Sequence, residues 1–120
     1  LWNGHKKRKL RNKKADKGFG YKLTYPKDEC TNTITSRYYK DGGECLIYQG
    51  ENKNPRKLTP RECFNLQGFP KNFKLLESKI QSYKQAGNAV PVKVVEKICI
   101  NIIDYLLCEE KNKISKLKAS

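Results

Sequence analysis

LTPRECFNLQGFP, residues 58 to 70, carries more local instruction than a short stretch ordinarily holds. Thr59 is a good N-cap, and Pro60 follows at N1, where its missing N–H costs nothing. Glu62 falls three residues after Thr59 and completes a capping box, T-x-x-E. Gly68 suits the left-handed C′ position, and Pro70 blocks continuation. The spacing predicts a helix of barely two turns, bounded at both ends by residue chemistry. Gln67, Gly68, Phe69 and Pro70 form its exit turn.

Upstream, residues 18 to 50 read as β structure. GFGYKLTY sets two glycines beside aromatics, and TNTITSRYY is rich in β-branched and aromatic residues. KDGG follows, and Asp41-Gly42 is a strong hairpin signal that makes ECLIYQ the return strand. ENKNPRK, residues 51 to 57, is a polar loop leading into the capped helix. At the other end, LWNGHKKRKLRNKKADK, residues 1 to 17, holds eight Lys or Arg. It reads as a basic arm with little to bury: either a solvated charge run or a phosphate-contacting surface.

Downstream of the capped helix, residues 71 to 84 carry weak structural signals. QAGNAVP, residues 85 to 91, reads as a tight turn running into a proline. VKVVEKICINIIDYLL then mixes β-branched and polar residues. Lys93, Glu96, Lys97, Asn101 and Asp104 fall on one helical stripe, which a strand would not give. Apolar residues, among them Ile98, Ile102 and Leu106, fill much more than half of the circumference. A surface helix needs only one apolar face. This helix is expected to pack into a larger body.

The whole chain has 120 residues, with 26 Lys+Arg against 12 Asp+Glu and a formal net charge of +14. Such a field favours a polyanion, with nucleic acid the leading candidate. A basic protein of an AT-rich genome would share that composition. There are five cysteines, no C-x-x-C pair and one histidine, so no metal site is expected. No stretch has the pattern of a signal peptide or the length of a membrane span. The thiols read as reduced, cytoplasmic ones. The chain begins at Leu1 rather than Met and is expected to be a piece of something longer.

Two blocks, RKLTPRECFNLQGFP and SYKQAGNAVPVKVVEKI, stand in this order. Together they resemble the last two conserved blocks, motifs IX and X, of DNA cytosine-5 methyltransferases. The first is similar nearly letter for letter to R-x-L-T-P-R-E-C-x-x-L-Q-G-F-P, and the second to Q-x-G-N-[SA]-V. TNTITSRYYKDGGECLI resembles the variable target-recognition region, whose Thr-Leu/Ile pair is matched by Thr33-Ile34. LWNGHKKRK and RYYKDG are similar to Dcm-like bacterial modification methylases of restriction–modification systems. The resemblance covers roughly residues 1 to 100.

What the resemblance implies is specific. The fold class is α+β: a small β-rich target-recognition domain with short helices, plus a C-terminal helix packing on a Rossmann-like S-adenosylmethionine-binding domain. Residues 1–75 are the recognition region including the motif IX helix. Residues 76–110 are the motif X turn and returning helix, and 111–120 a basic tail. The motif X turn lines the methionine side of the cofactor pocket. Asn88 is the chief contact there, with Gln85, Gly87 and Ala89 adjacent; glycine permits close backbone approach, and an amide both donates and accepts. For double-stranded DNA, Thr33, Ile34, Arg37, Tyr38 and Lys40 are the candidates. Arg37 suits a guanine edge, and Lys40, Lys6, Lys7 and Arg8 suit phosphate. Tyr38 and Tyr39 read equally well as packing residues, and Arg61 and Glu62 as structural partners.

The family's reaction needs a cysteine nucleophile in a Pro-Cys pair, a glutamate in a Glu-Asn-Val block and a glycine-rich F-x-G-x-G block. None is in this sequence: every cysteine follows Glu, Ile or Leu. No catalytic residue is therefore expected here. The expected partner is the catalytic domain or subunit of the same methyltransferase, without which the segment is inactive. The rival function is a stand-alone basic nucleic-acid-binding module. It explains the charge but neither the two blocks nor the over-apolar helix.

Overall fold

The computed structural model describes residues 2–18 and 20–118. Phe19, within the glycine–aromatic stretch, and the last two residues of the basic tail lie outside the described residues. The chain divides into two units, Leu1–Ala89 and Val90–Ser120.

In the first unit, helix α1 spans Trp2–Lys14, followed by strands β1 (Leu23–Thr24), β2 (Leu46–Ile47) and β3 (Arg56–Lys57). Helix α2 spans Pro60–Leu66 and α3 spans Lys79–Asn88. The sheet has the order β1-β2-β3. β1 runs parallel to β2, with Leu23 opposite Leu46; β2 runs antiparallel to β3, with Leu46 opposite Lys57. The α+β class expected from the sequence is the one observed.

Helix α2 forms as its sequence specifies. The Thr59 side chain accepts from the Glu62 amide, and the Glu62 side chain accepts from the Thr59 amide. Gly68 has φ +83°, the left-handed value its position requires. Cys63 and Phe64 face inward, where Phe64 meets Phe69 edge-on and stacks on Phe73.

The core is organised around Tyr38, which is 0% exposed. Its hydroxyl donates to the Cys45 carbonyl at 2.5 Å and accepts from the Leu58 amide at 2.8 Å. Tyr83 of α3 packs edge-on against Tyr38 and donates to the Leu58 carbonyl at 2.7 Å. Ile34, Cys45, Leu58, Cys63, Phe64 and Ala86 complete the cluster.

Three local expectations differ from the structure. TNTITSRYY is not a strand: residues 31–35 are irregular and residues 36–39 turn. Burying Ile34 and Tyr38 four residues apart folds this stretch around its tyrosine instead of extending it. Asp41-Gly42 is a turn but not a hairpin apex. Asp41 accepts from the Gly43 amide at 3.1 Å, Gly42 has φ +65°, and β2 pairs with β1 and β3. The basic arm is a docked helix. Its non-exposed positions, Trp2, His5, Arg8 and Asn12, follow a helical stripe.

Residues 71 to 84 also contain more order than expected. Ser78 caps α3, accepting from the Gln81 amide at 3.4 Å, and the QAGN residues form that helix's last turn. The second unit is helix α4, Val92–Lys118. Its amides of Val94 and Val95 donate to the Pro91 carbonyl, which places Pro91 at the helix entry. Ile98, Ile102 and Leu106 are exposed in this chain. Among the described residues, no helix is long and apolar enough to cross a membrane.

Candidate DNA and cofactor site

The α2 platform is held by a dense set of polar contacts. Arg56 donates from both terminal nitrogens to the two Glu62 carboxylate oxygens, each at 2.8 Å. The same carboxylate accepts from the Thr59 amide at 2.7 Å and its hydroxyl at 3.1 Å. The hydrogen bonds from Arg56, aided by those from Thr59, pull the Glu62 carboxyl down to about 2. Arg61 donates to the Phe73 carbonyl at 2.7 Å. Arg56 and Glu62 are thus occupied within the chain, and Arg61 in part, since its Nη1 is buried with no hydrogen-bond partner among the described residues.

The sequence-selected DNA residues separate into two groups. Thr33, Arg37 and Lys40 are exposed. Ile34 and Tyr38 are not available: Ile34 is buried in the core, and Tyr38 spends its hydroxyl on two backbone groups. Burial raises the Tyr38 phenol far above its ordinary value. Their selection for DNA contact is corrected on that ground: both side chains pack in the core of this chain.

On α1, Lys6 and Lys7 are exposed, whereas Arg8 is engaged within the fold. Its guanidinium forms an ion pair with Asp41 and donates to the Gly20 carbonyl at 3.0 Å. It also donates to His5 Nδ1 at 3.1 Å. With Nδ1 accepting, Nε2 is the ring nitrogen that donates to the Asp41 carbonyl at 3.2 Å. Burial of Asp41 opposes ionisation, but Arg8 and the Gly43 amide together hold its carboxyl below the ordinary range. A free phosphate-binding role for Arg8 is therefore replaced by a clamp between α1 and the turn at Asp41.

This clamp sits between two clefts. One, of about 280 Å³, is lined by Arg8, Arg37, Lys40, Asp41 and Glu44 among others. The other, of about 490 Å³, is lined by His5, Lys7, Arg8, Arg11 and Asp41. The fold thus brings Arg37 and Lys40 into the neighbourhood of α1, although they are distant from it in sequence. His5, Arg11 and Asp41 escaped sequence reasoning. The one signal available was helical spacing of polar residues in α1, which hydrophobic patterning does not register.

The cofactor candidates cluster at the C-terminal end of α3. Gln85 and Asn88 are exposed, and their side-chain amides have no hydrogen-bond partner among the described residues. Ala89 is the C-cap, its amide donating to the Gln85 carbonyl at 2.9 Å. Just before them, Gln67 Nε2 donates to the buried Ala86 carbonyl at 3.0 Å. Gly87 lies directly on the peptide joining Thr35 to Ser36. A side chain there would meet backbone, so this glycine's close approach is made to the recognition stretch.

Neither thiol in the core has the character of a nucleophile. Cys45 and Cys63 are buried, and burial pushes the Cys63 thiol up to about 12, where it stays protonated at neutral pH. Cys30, Cys99 and Cys108 are exposed.

Residues 1–104 match the family model described as C-5 cytosine-specific DNA methylase. The chain belongs to that family. It is 52% identical over 113 residues to the type II methyltransferase M1.ScrFI of Lactococcus lactis subsp. cremoris, covering 94% of this chain and 28% of the relative. It is 55% identical over 106 residues to M.SsoII of Shigella sonnei, covering 88% of this chain and 28% of that one. A DNA-cytosine methyltransferase of Escherichia coli (strain K12) is 40% identical over 98 residues, covering 64% and 21%. The chain therefore spans less than a third of the length of these curated relatives. Its fold also matches the solved structure of the Entamoeba histolytica methyltransferase EhMeth, with a TM-score of 0.62 and 24% identity, covering 72% of this chain and 32% of that one.

Proposed function

We propose that this chain is the C-terminal, target-recognition part of a type II DNA (cytosine-5-)-methyltransferase acting in the bacterial cytoplasm. Methyl transfer from S-adenosylmethionine to C5 of a flipped cytosine then requires a catalytic part with the Pro-Cys, Glu-Asn-Val and glycine-rich blocks. The observation that carries this reading is the intact, fully bonded Arg56–Thr59–Glu62 platform in a chain of this family. A stand-alone basic module has no use for it.

In this reading Thr33, Arg37 and Lys40 face the DNA, and Lys6 and Lys7 of α1 contact phosphate. The donor set at the end of α3 fits the amino-acid end of S-adenosylmethionine. The free amides of Gln85 and Asn88 can donate to a carboxylate and accept from an ammonium. Asn88 and Ala89 line that side of the pocket, and the catalytic domain completes it. Helix α4 lies against the catalytic domain, with Lys93, Glu96, Lys97, Asn101 and Asp104 turned to water; an apolar surface of this extent marks an interface.

The test uses the purified chain, mixed-sequence duplex DNA and labelled cofactor. The chain should bind duplex with an affinity that falls as salt rises, and transfer no label. Absence of duplex binding, or C5 labelling by the chain alone, would overturn the reading.

A further inference from the structure

The glycine of the Q-x-G-N block has no room for a side chain. Gly87 sits in the last turn of α3, and a methyl added at its Cα would overlap the carbonyl carbon and oxygen of Thr35 and the amide nitrogen of Ser36. These are backbone atoms, so no side-chain rotation relieves the overlap. The residue immediately before it, Ala86, is 0% exposed, and its carbonyl is held by Gln67 from the exit turn of α2. Thr35 follows Thr33 and Ile34 by two and one positions, and Ile34 is itself anchored in the core. Asn88 follows Gly87 directly. The cofactor end of α3, the exit of α2 and the recognition stretch therefore meet in one junction, buried at Gln67 and Ala86.

We propose that Gly87 is a positioning residue for the DNA target. Its bare Cα lets α3 seat on the Thr35–Ser36 peptide, which sets where the exposed Thr33 is held. Gln67 is the second member of this junction, fixing α3 through Ala86. The inference rests on the methyltransferase reading, and it departs from the simpler idea that this glycine serves close approach of the cofactor. Packed contacts of this kind have few intermediate arrangements. A displaced α3 end therefore shifts the recognition stretch as a piece, while the exposed Asn88 amide keeps its own freedom.

The experiment uses a complete enzyme: the Lactococcus lactis relative with its matching segment replaced by this chain. Methylation of plasmid DNA is followed with labelled cofactor, varying DNA and cofactor separately, for the unsubstituted chimera, Gly87→Ala and Gln67→Leu. Gly87→Ala should raise the KM for DNA about tenfold and leave the KM for cofactor within about twofold. Gln67→Leu, which removes the Ala86 partner without adding bulk at the contact, should move the same two constants in the same directions. A raised cofactor KM with an unchanged DNA KM would show that the glycine serves the cofactor and would overturn the proposal. Lower kcat with both constants unchanged would mean a loss of folded enzyme only, and would overturn it too. Should Gly87→Ala not fold, Gln67→Leu decides by the same split. An unsubstituted chimera that transfers no methyl would bring down the methyltransferase reading itself, and this inference with it.

Discussion

Replacing Tyr38 with phenylalanine removes one oxygen and nothing else. In the structure that oxygen serves two buried backbone groups, the Cys45 carbonyl and the Leu58 amide. Neither has water within reach, because Cys45 and Leu58 are both buried. Each group left unsatisfied costs about 1–3 kcal/mol, so the pair should cost roughly 3 kcal/mol toward the lower end. For a domain of this size 1 kcal/mol shifts Tm by about 4–8 °C. Tyr38→Phe should therefore lower Tm by roughly 15 °C, while an exposed substitution such as Arg37→Ala stays within about 0.5 kcal/mol. The assay is thermal unfolding of the chain by circular dichroism, paired with duplex binding by the parent and Tyr38→Phe at low temperature, where both are folded. The expected outcome is a large loss of stability with unchanged affinity for DNA. A Tm within about 3 °C of the parent together with weakened DNA binding would refute the reasoning, because the hydroxyl would then belong to the DNA surface.

Glu62 gives a pH-dependent counterpart. Its folded pKa is depressed to about 2 from an ordinary 4.5, so its stabilisation is fully present above pH 4.5 and lost as pH falls through 2. Both partners are more than a third exposed, which screens the contribution to about 1 kcal/mol. Glu62→Gln should thus melt lower than the parent at pH 6 and converge with it near pH 2; a constant gap across that range would contradict the assignment. Replacing Lys6 and Lys7 with alanine should reduce the slope of log affinity against log salt by about 2, read by titrating duplex at several salt concentrations, with site preference kept. Arg8→Ala should instead lower the Tm, since it opens the contact between α1 and Asp41. In the complete enzyme Ile102→Asp should abolish co-purification of this chain with the catalytic part, because an unpaired charge would enter an apolar contact, while Asn101→Asp on the polar stripe should be nearly silent.

The parts of the fold written in capping chemistry were legible from the sequence. Thr59, Pro60, Glu62 and Gly68 each act through their own backbone neighbourhood, so their meaning does not depend on distant residues. The helix over residues 92–107 was legible for a related reason, since five polar residues on one stripe admit a single period; that it continues to Lys118, through most of the stretch read as a basic tail, was not. Helix α1 was not, because the face it buries is made of Trp2, His5, Arg8 and Asn12, and a polar stripe looks like solvent. Helix α3 was hidden likewise: its buried positions are Ser82 and Ala86, too small to raise a hydrophobic signal. At the site, Thr33, Arg37 and Lys40 could be chosen by residue type and are exposed. Ile34 and Tyr38 came from the same run, but which side chains of an irregular stretch turn inward is decided by Leu58 and Tyr83, far along the chain. The contact that Gly87 makes with Thr35 and Ser36 is of the same long-range kind.

The most direct measurement is reconstitution. This chain and the catalytic part of a relative are purified separately, then incubated with unmethylated plasmid and S-adenosylmethionine, alone and mixed. The DNA is digested to nucleosides, and 5-methylcytosine is counted by mass spectrometry. It should appear in the mixture and be absent with this chain alone. A mixture that yields no 5-methylcytosine although the two parts co-purify, or a yield from this chain without its partner, would contradict the assignment of this chain as the target-recognition part.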